Sequence, residues 1–324
     1  MSTTMTHEEA LGYVAQAEQV ATEAALAVCW AQWRSLGALA TAQSTPEAQS
    51  IIDPEALLLL TLQLRDRERR LDDFAGWWAS TRGALMSVQR VLNLAKLFPS
   101  QAADGVGGFA RLAAAAGHKR WKRHQHDQEH SPLKPRPSKG SEAPTLHNPP
   151  ALLLRLRAGL GVGAKADLLA FLLGLRGERV TTRQMAEALH YTEVAIRTAA
   201  QDMARAGFID ETRDRPVRYA ARLEVWAPLL QFTAQAGVVT APGWCYGAEC
   251  FALLAATQAW AEAGRVAGWS PYVWSSRARD LTEQHRRALE IMRLPRPDRH
   301  RGADYLPAFV QLIEQAGQWM RAQS

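Results

Sequence analysis

The chain has 324 residues, of which 47% are hydrophobic, so it can bury more than one core and is neither wholly disordered nor fibrous. Its 38 lysines and arginines outnumber 32 acidic residues, and the net charge of +6 permits an acidic partner such as nucleic acid without requiring one. Cys29, Cys245 and Cys250 lack the close spacing of a zinc or redox motif. We therefore expect reduced thiols in a cytoplasmic protein.

Residues 1–116 are predicted to form a helical domain. Thr6 and Glu9 have the spacing of a capping box, and the alanine-rich segment that follows predicts a helix to about Ala42. Asp53 followed by Pro54 is typical of another helix start, because aspartate caps helices and proline suits their first position. The helices predicted after this point cover residues 55–70, the region of Trp77 and Trp78, and residues 87–97.

Residues 117–149 have the composition of a linker. The segment is rich in proline and charge and nearly free of aliphatic side chains, so we expect it to be a mobile tether. Its seven basic and three acidic residues give a charge of +4, which would add non-specific affinity for phosphates. Its histidines have no fixed scaffold, and no metal or cofactor is predicted.

Residues 150–223 show an ordered series of helix and strand signals. An apolar helix around Leu168–Leu175 is followed by a short strand at Val180. Thr181 and Gln184 then have capping-box spacing, and Thr192 is placed to cap the next helix, which runs to Ala206. After Gly207, alternating side chains predict a hairpin.

This series resembles the winged helix-turn-helix domains of bacterial transcriptional regulators of the multiple-antibiotic-resistance and arsenical-repressor types. The resemblance covers about a fifth of the chain, and its most telling part is Ala206-Gly207-Phe208-Ile209 leading into an arginine-bearing hairpin. It implies three helices plus a hairpin wing, with the second helix of the motif in the major groove. The residues that it assigns to DNA contact are Thr182, Arg183, Thr192, Arg197, Thr198, Gln201, Arg213, Arg215 and Arg218.

Residues 224–324 are predicted to be a second helical domain. The uncharged stretch Val225–Ala248 contains Pro228 and Pro242, so a buried helix and a turn explain it better than a membrane span. Leu306, Phe309, Val310, Ile313 and Met320 recur at helical spacing in the last segment, which therefore offers an apolar face for a homodimer.

The resulting expectation is a mainly α-helical protein whose central winged helix binds duplex DNA sequence-specifically. It would act as a transcriptional regulator or a defence-associated DNA-binding protein. The sequence has no Ser, His and Asp arrangement in a nucleophile-elbow context, and no enzymatic activity is expected. The alternative is a non-catalytic adaptor that uses the winged helix and the tryptophan-rich helices to hold a protein partner. The DNA sequence recognised and any effector stay open.

Overall fold

The computed structural model describes residues 5–38, 48–125, 133, 146–232, 234–235, 238–300 and 302–323. Over these residues the protein is mainly α-helical. None of the helices in the described ranges combines the length and the apolar character that a bilayer span requires.

The amino-terminal helices begin where the sequence supplies caps. The Thr6 hydroxyl accepts from the Glu9 N–H at 3.2 Å, and the Glu9 carboxylate accepts from the Thr6 N–H at 2.7 Å. The helix ends at Ser35 and not near Ala42, because Gly37 follows with a φ of +92°, a left-handed conformation that stops helices. The elements are α1 His7–Ser35, β1 Ser50–Ile51, α2 Pro54–Leu64, α3 Arg70–Arg82, α4 Val88–Ala95 and α5 Ser100–Ala115.

The middle of the chain carries four helices and a small antiparallel sheet. Strand β2 (Val180–Thr181) pairs with β4 (Arg218–Ala220), which pairs with β3 (Asp210–Glu211), so the order is β2-β4-β3. The helices are α6 Leu152–Leu160, α7 Ala164–Gly174, α8 Thr182–Leu189 and α9 Glu193–Arg205.

The carboxy-terminal part contains further short strands besides its helices. Strand β7 (Gly243–Trp244) pairs in parallel with β1 near the amino terminus, and β5 (Ala234–Gln235) pairs with β6 (Val238–Val239). The elements are α10 Leu223–Leu230, β5 Ala234–Gln235, β6 Val238–Val239, β7 Gly243–Trp244, α11 Gly247–Ala267, α12 Pro271–Gln284, α13 Arg286–Met292 and α14 Tyr305–Gln323.

The two flanking helical regions share one core, which corrects the expectation of separate domains at 1–116 and 224–324. Helix α1 packs on both α14 and α11, and α2 also contacts α11. The alanines along α1 allow these helices to approach closely, and one continuous cluster of buried apolar residues runs through all four. A second cluster unites α6 to α10 and also takes in Ile51 and Ala241, beyond the predicted 150–223 boundaries.

Helix α14 uses its apolar stripe inside the chain. Leu306, Phe309 and Ile313 are fully buried, and Val310 and Met320 are nearly so. The predicted dimer contact through this face is therefore wrong, because the stripe is already covered by neighbouring helices of the same chain.

The predicted mobile linker is partly folded. Residues Lys119–His124 form a 3-10 turn on α5, and the Trp121 side chain is only 1% exposed. Further along, the Asn148 amide donates to the Ser35 carbonyl at 2.8 Å. The prediction overlooked Trp121, whose large apolar ring stabilises the turn when it is buried. Residues 126–132 and 134–145 lie outside the described residues.

Candidate nucleic-acid interface

Helices α8 and α9 are joined by a tight turn that the local sequence determines. The Thr181 and Gln184 capping box opens α8, with the Gln184 N–H donating to the Thr181 hydroxyl at 3.3 Å. His190 ends α8 in the left-handed conformation, and the Thr192 hydroxyl then accepts from the Ala195 N–H at 3.3 Å. Thr192, one of the predicted DNA contacts, therefore caps α9.

Helix α9 has one buried face and one exposed face. Ile196 and Ala200 are fully buried in the second core, whereas Arg197, Thr198 and Gln201 are exposed. No side-chain hydrogen-bond partner for Thr198 or Gln201 lies in the described part of the chain. The predicted recognition side chains thus lie together on the outer face of one helix.

Two of the predicted cations are engaged in ion pairs within their own helices. Arg197 pairs with Glu193 at 2.7 Å and Arg183 pairs with Glu187 at 2.9 Å, both at i,i+4 spacing. The Thr182 hydroxyl contacts Glu193 at 3.3 Å. Exposed pairs of this kind contribute little to stability, so a phosphate or base can displace the carboxylate at small cost.

The hairpin between β3 and β4 carries cations without such partners. Arg213, Arg215 and Arg218 are exposed, and no hydrogen bond or ion pair to their guanidinium groups exists among the described residues. At the base of the hairpin, Arg222 pairs with Asp210 at 3.0 Å. The three arginines remain available to an anionic partner.

The acidic side chain of Asp202 on α9 is neutralised locally. The Lys165 ammonium lies 2.8 Å from its carboxylate, and this hydrogen bond lowers the pKa of Asp202. Arg205 is a second cation at 3.8 Å. The negative charge that α9 carries here is balanced within the fold.

A buried ionic cluster, which the sequence analysis missed, lies behind the turn. Arg157 donates to Asp167 at 2.7 Å and to Glu55 at 2.6 Å, and Arg90 pairs with both Asp53 and Glu55. These side chains are at most 6% exposed. Burial opposes the ionised form of Asp53, but the neighbouring Arg90 charge lowers its pKa. The sequence signal for this cluster is Arg157, which lies inside the apolar run Leu152–Leu160. A charge buried in such a run requires partners.

This cluster also holds the α8–α9 turn against the amino-terminal helices. Arg90 donates to the Leu189 carbonyl at 2.9 Å, and Asn93 donates to the His190 carbonyl at 3.1 Å. The Tyr191 hydroxyl donates to Asp167 at 2.9 Å. The α8–α9 turn is thereby fixed to α4 and α7, while the outer face of α9 stays exposed.

A groove of about 520 Å³ borders α9. Its lining includes Ala195 and Thr198 of α9 together with Gly161, Gly163 and Arg120. Arg120 belongs to the segment that was predicted to be a mobile tether. Within the described ranges, no cluster of three or more histidine, cysteine or acidic side chains could hold a metal ion.

Comparison with known proteins adds no relative: no family model, no curated protein and no solved structure matches this chain. The geometry of the described residues is therefore the basis for a functional argument.

Proposed function

We propose that residues 164–222 are a winged helix-turn-helix domain and that the protein binds duplex DNA sequence-specifically, as a transcriptional regulator. Helices α7, α8 and α9 would be its three helices, the β3–β4 hairpin its wing, and α9 its recognition helix. The observation that carries the proposal is the exposed face of Arg197, Thr198 and Gln201 on a helix whose opposite face is buried.

The chemistry of these side chains suits a duplex. An arginine can donate two hydrogen bonds to a guanine edge, and a glutamine can bond an adenine edge in the major groove. The hairpin arginines Arg213, Arg215 and Arg218 would contact phosphates or enter the minor groove, where charge and groove width favour arginine. Thr182 and Arg183, at the start of α8, would contact a phosphate.

The test is the sequence preference of two variants, Arg197→Ala and Gln201→Ala, in gel shifts against a selected DNA site and a scrambled one. We expect each variant to lose about 1 to 3 kcal/mol of discrimination, because each removes hydrogen bonds to a base edge. The overall fold should persist, since both side chains are exposed.

Arg277→Ala is the matched control for charge, because this α12 side chain is 60% exposed and lies outside residues 164–222. It should leave the sequence preference unchanged. Retention of the wild-type preference in both α9 variants would remove the recognition-helix assignment.

The alternative function, a protein-binding adaptor, is favoured by one apolar surface. Val225 and Leu229 on α10 are 54% and 69% exposed, and the neighbouring Phe208 is 45% exposed. The Phe208 ring lies 5.7 Å from that of Trp226. Such a surface suits a protein partner or a second copy of this chain.

A homodimer would present two recognition helices to two half-sites, and light scattering of the full chain tests for it.

A further inference from the structure

The basic 3-10 turn at Lys119–His124 is held in a fixed position. The Trp121 indole N–H donates to the Gly83 carbonyl at 3.0 Å, and its ring lies 5.0 Å from that of Phe109. Because the Trp121 side chain is buried while its neighbours are exposed, the turn presents its cations from a packed base.

Four cations on this turn have no partner among the residues that the structure describes. Lys119, Arg120, Lys122 and Arg123 are exposed, and no hydrogen bond or ion pair to their side chains occurs in the part of the chain that the structure describes. Many other exposed arginines of the protein do pair with acidic side chains, as Arg265 does with Glu18 at 2.6 Å. Four uncompensated positive charges within five residues create a local positive potential that attracts polyanions.

The turn and α9 border the same groove. Arg120 lines the 520 Å³ groove together with Thr198, and a second cleft of about 450 Å³ shares Arg120 and Gly161 and extends past Lys119. Gly161 lines both clefts and Gly163 lines the first, and a Cβ added at either glycine would meet no atom within 4 Å. The missing side chains at these two glycines let a ligand approach the backbone closely.

We infer that residues 119–123 form a second phosphate-binding flank of the interface and contact the sugar-phosphate backbone of the duplex beside the segment that α9 reads. This inference rests on the proposed function. Lysine and arginine neutralise phosphates without reading sequence, so the flank adds affinity but no preference. The basic turn that packs on α5 would therefore hold its cations in fixed positions for phosphate contact.

The experiment compares wild-type protein with Lys119→Ala/Arg120→Ala in gel shifts over a series of salt concentrations. Losing two phosphate contacts should reduce the slope of log affinity against log salt by about 2, with the ratio of specific to scrambled binding unchanged. Arg286→Ala/Arg287→Ala is the matched control, because both side chains are exposed on α13 and the variant loses the same charge.

A single charge reversal, Arg120→Glu, provides a second variant, and circular dichroism checks that each protein is folded. A wild-type slope in both flank variants would overturn the inference while leaving the proposed function intact. Loss of sequence preference in the flank variants would also overturn it, because the turn would then contact bases. If the wild-type protein binds no duplex DNA at any salt concentration, both proposals fail.

Discussion

At the scale of single residues, buried polar groups of this protein differ in whether they have partners. Arg157 is 1% exposed, and its guanidinium donates to two carboxylates and to the Leu85 carbonyl. His285, at the junction of α12 and α13, is 7% exposed, and its Nε2 atom has no hydrogen-bond partner among the described residues. Burial without a compensating charge lowers the pKa of His285 to about 4. The imidazole therefore folds in its neutral form.

The pH dependence of stability follows from this shift. In the unfolded state His285 has its ordinary pKa of 6.5. Between about pH 6.5 and 4 the unfolded state therefore binds a proton at this imidazole that the folded state does not bind. The stabilisation is present above pH 6.5 and is lost as the pH falls toward 4. We expect His285 to account for about 2 kcal/mol of lost unfolding free energy between pH 7 and pH 5.

Urea unfolding of wild-type protein and His285→Gln at both pH values measures this difference. The variant should lose less unfolding free energy on acidification than the wild type does. His7→Gln, at an exposed histidine, is the control and should behave as the wild type. Equal pH dependence of all three proteins would contradict the assignment to His285.

At the scale of elements, the buried ionic cluster joins α2, α4, α6 and α7. Its three carboxylates, Asp53, Glu55 and Asp167, surround the guanidinium groups of Arg90 and Arg157. Burying ions is costly, and attraction between them offsets the cost only while every partner remains. The cluster fixes how these helices meet because removing any one member leaves uncompensated charge in the core.

Arg157→Leu should therefore destabilise the protein by about 3 to 5 kcal/mol, since Glu55 and Asp167 lose their shared cation. Denaturant unfolding followed by circular dichroism measures the change. Arg183→Leu, which breaks the exposed pair with Glu187, is the control and should change stability little. A loss of stability as small as that of the control would contradict the claim that Glu55 and Asp167 need the Arg157 cation to remain buried.

Local elements could be predicted from the sequence, whereas the contacts that pack those elements together could not. The capping boxes at Thr6 and Thr181 were predicted, and the structure confirms both, because each depends on residues three apart. The outer face of α9 was likewise predicted from periodicity, and its exposure agrees. The pairing of Arg90 with Asp53 was not, since 37 residues separate them and no local pattern encodes the contact. Trp121 was missed because the charged composition around it favoured a tether.

At the scale of the whole molecule, the amino-terminal helices complete the core of the carboxy-terminal ones. Helix α1 covers α14 and α11, and fully buried side chains such as Phe251 and Phe309 belong to the same cluster as the residues of α1 and α2. The central segment has its own cluster, which also takes in Ile51 of β1, and the ionic cluster joins it to this body.

A fragment that lacks residues 1–116 should consequently lose cooperative unfolding and bind a hydrophobic dye, because the buried faces of α11 and α14 become exposed. Thermal unfolding by circular dichroism, together with dye fluorescence, measures this. Co-expression of residues 1–148 with residues 149–324 is the control, since it restores every described helix and should restore a cooperative transition. A fragment that melts cooperatively alone would show that the carboxy-terminal helices form an independent domain.

The contact between α1 and α14 also bears on how the chain folds during synthesis. His7 at the start of α1 precedes Tyr305 at the start of α14 by 298 positions, and ribosomes add about 5 to 20 residues per second, so α1 waits roughly 15 to 60 s for this partner. During that interval the apolar side of α1 is incompletely covered, whereas α7, α8 and α9 can pack on one another as soon as they emerge. The central segment can therefore fold first, and the surrounding helical body closes last.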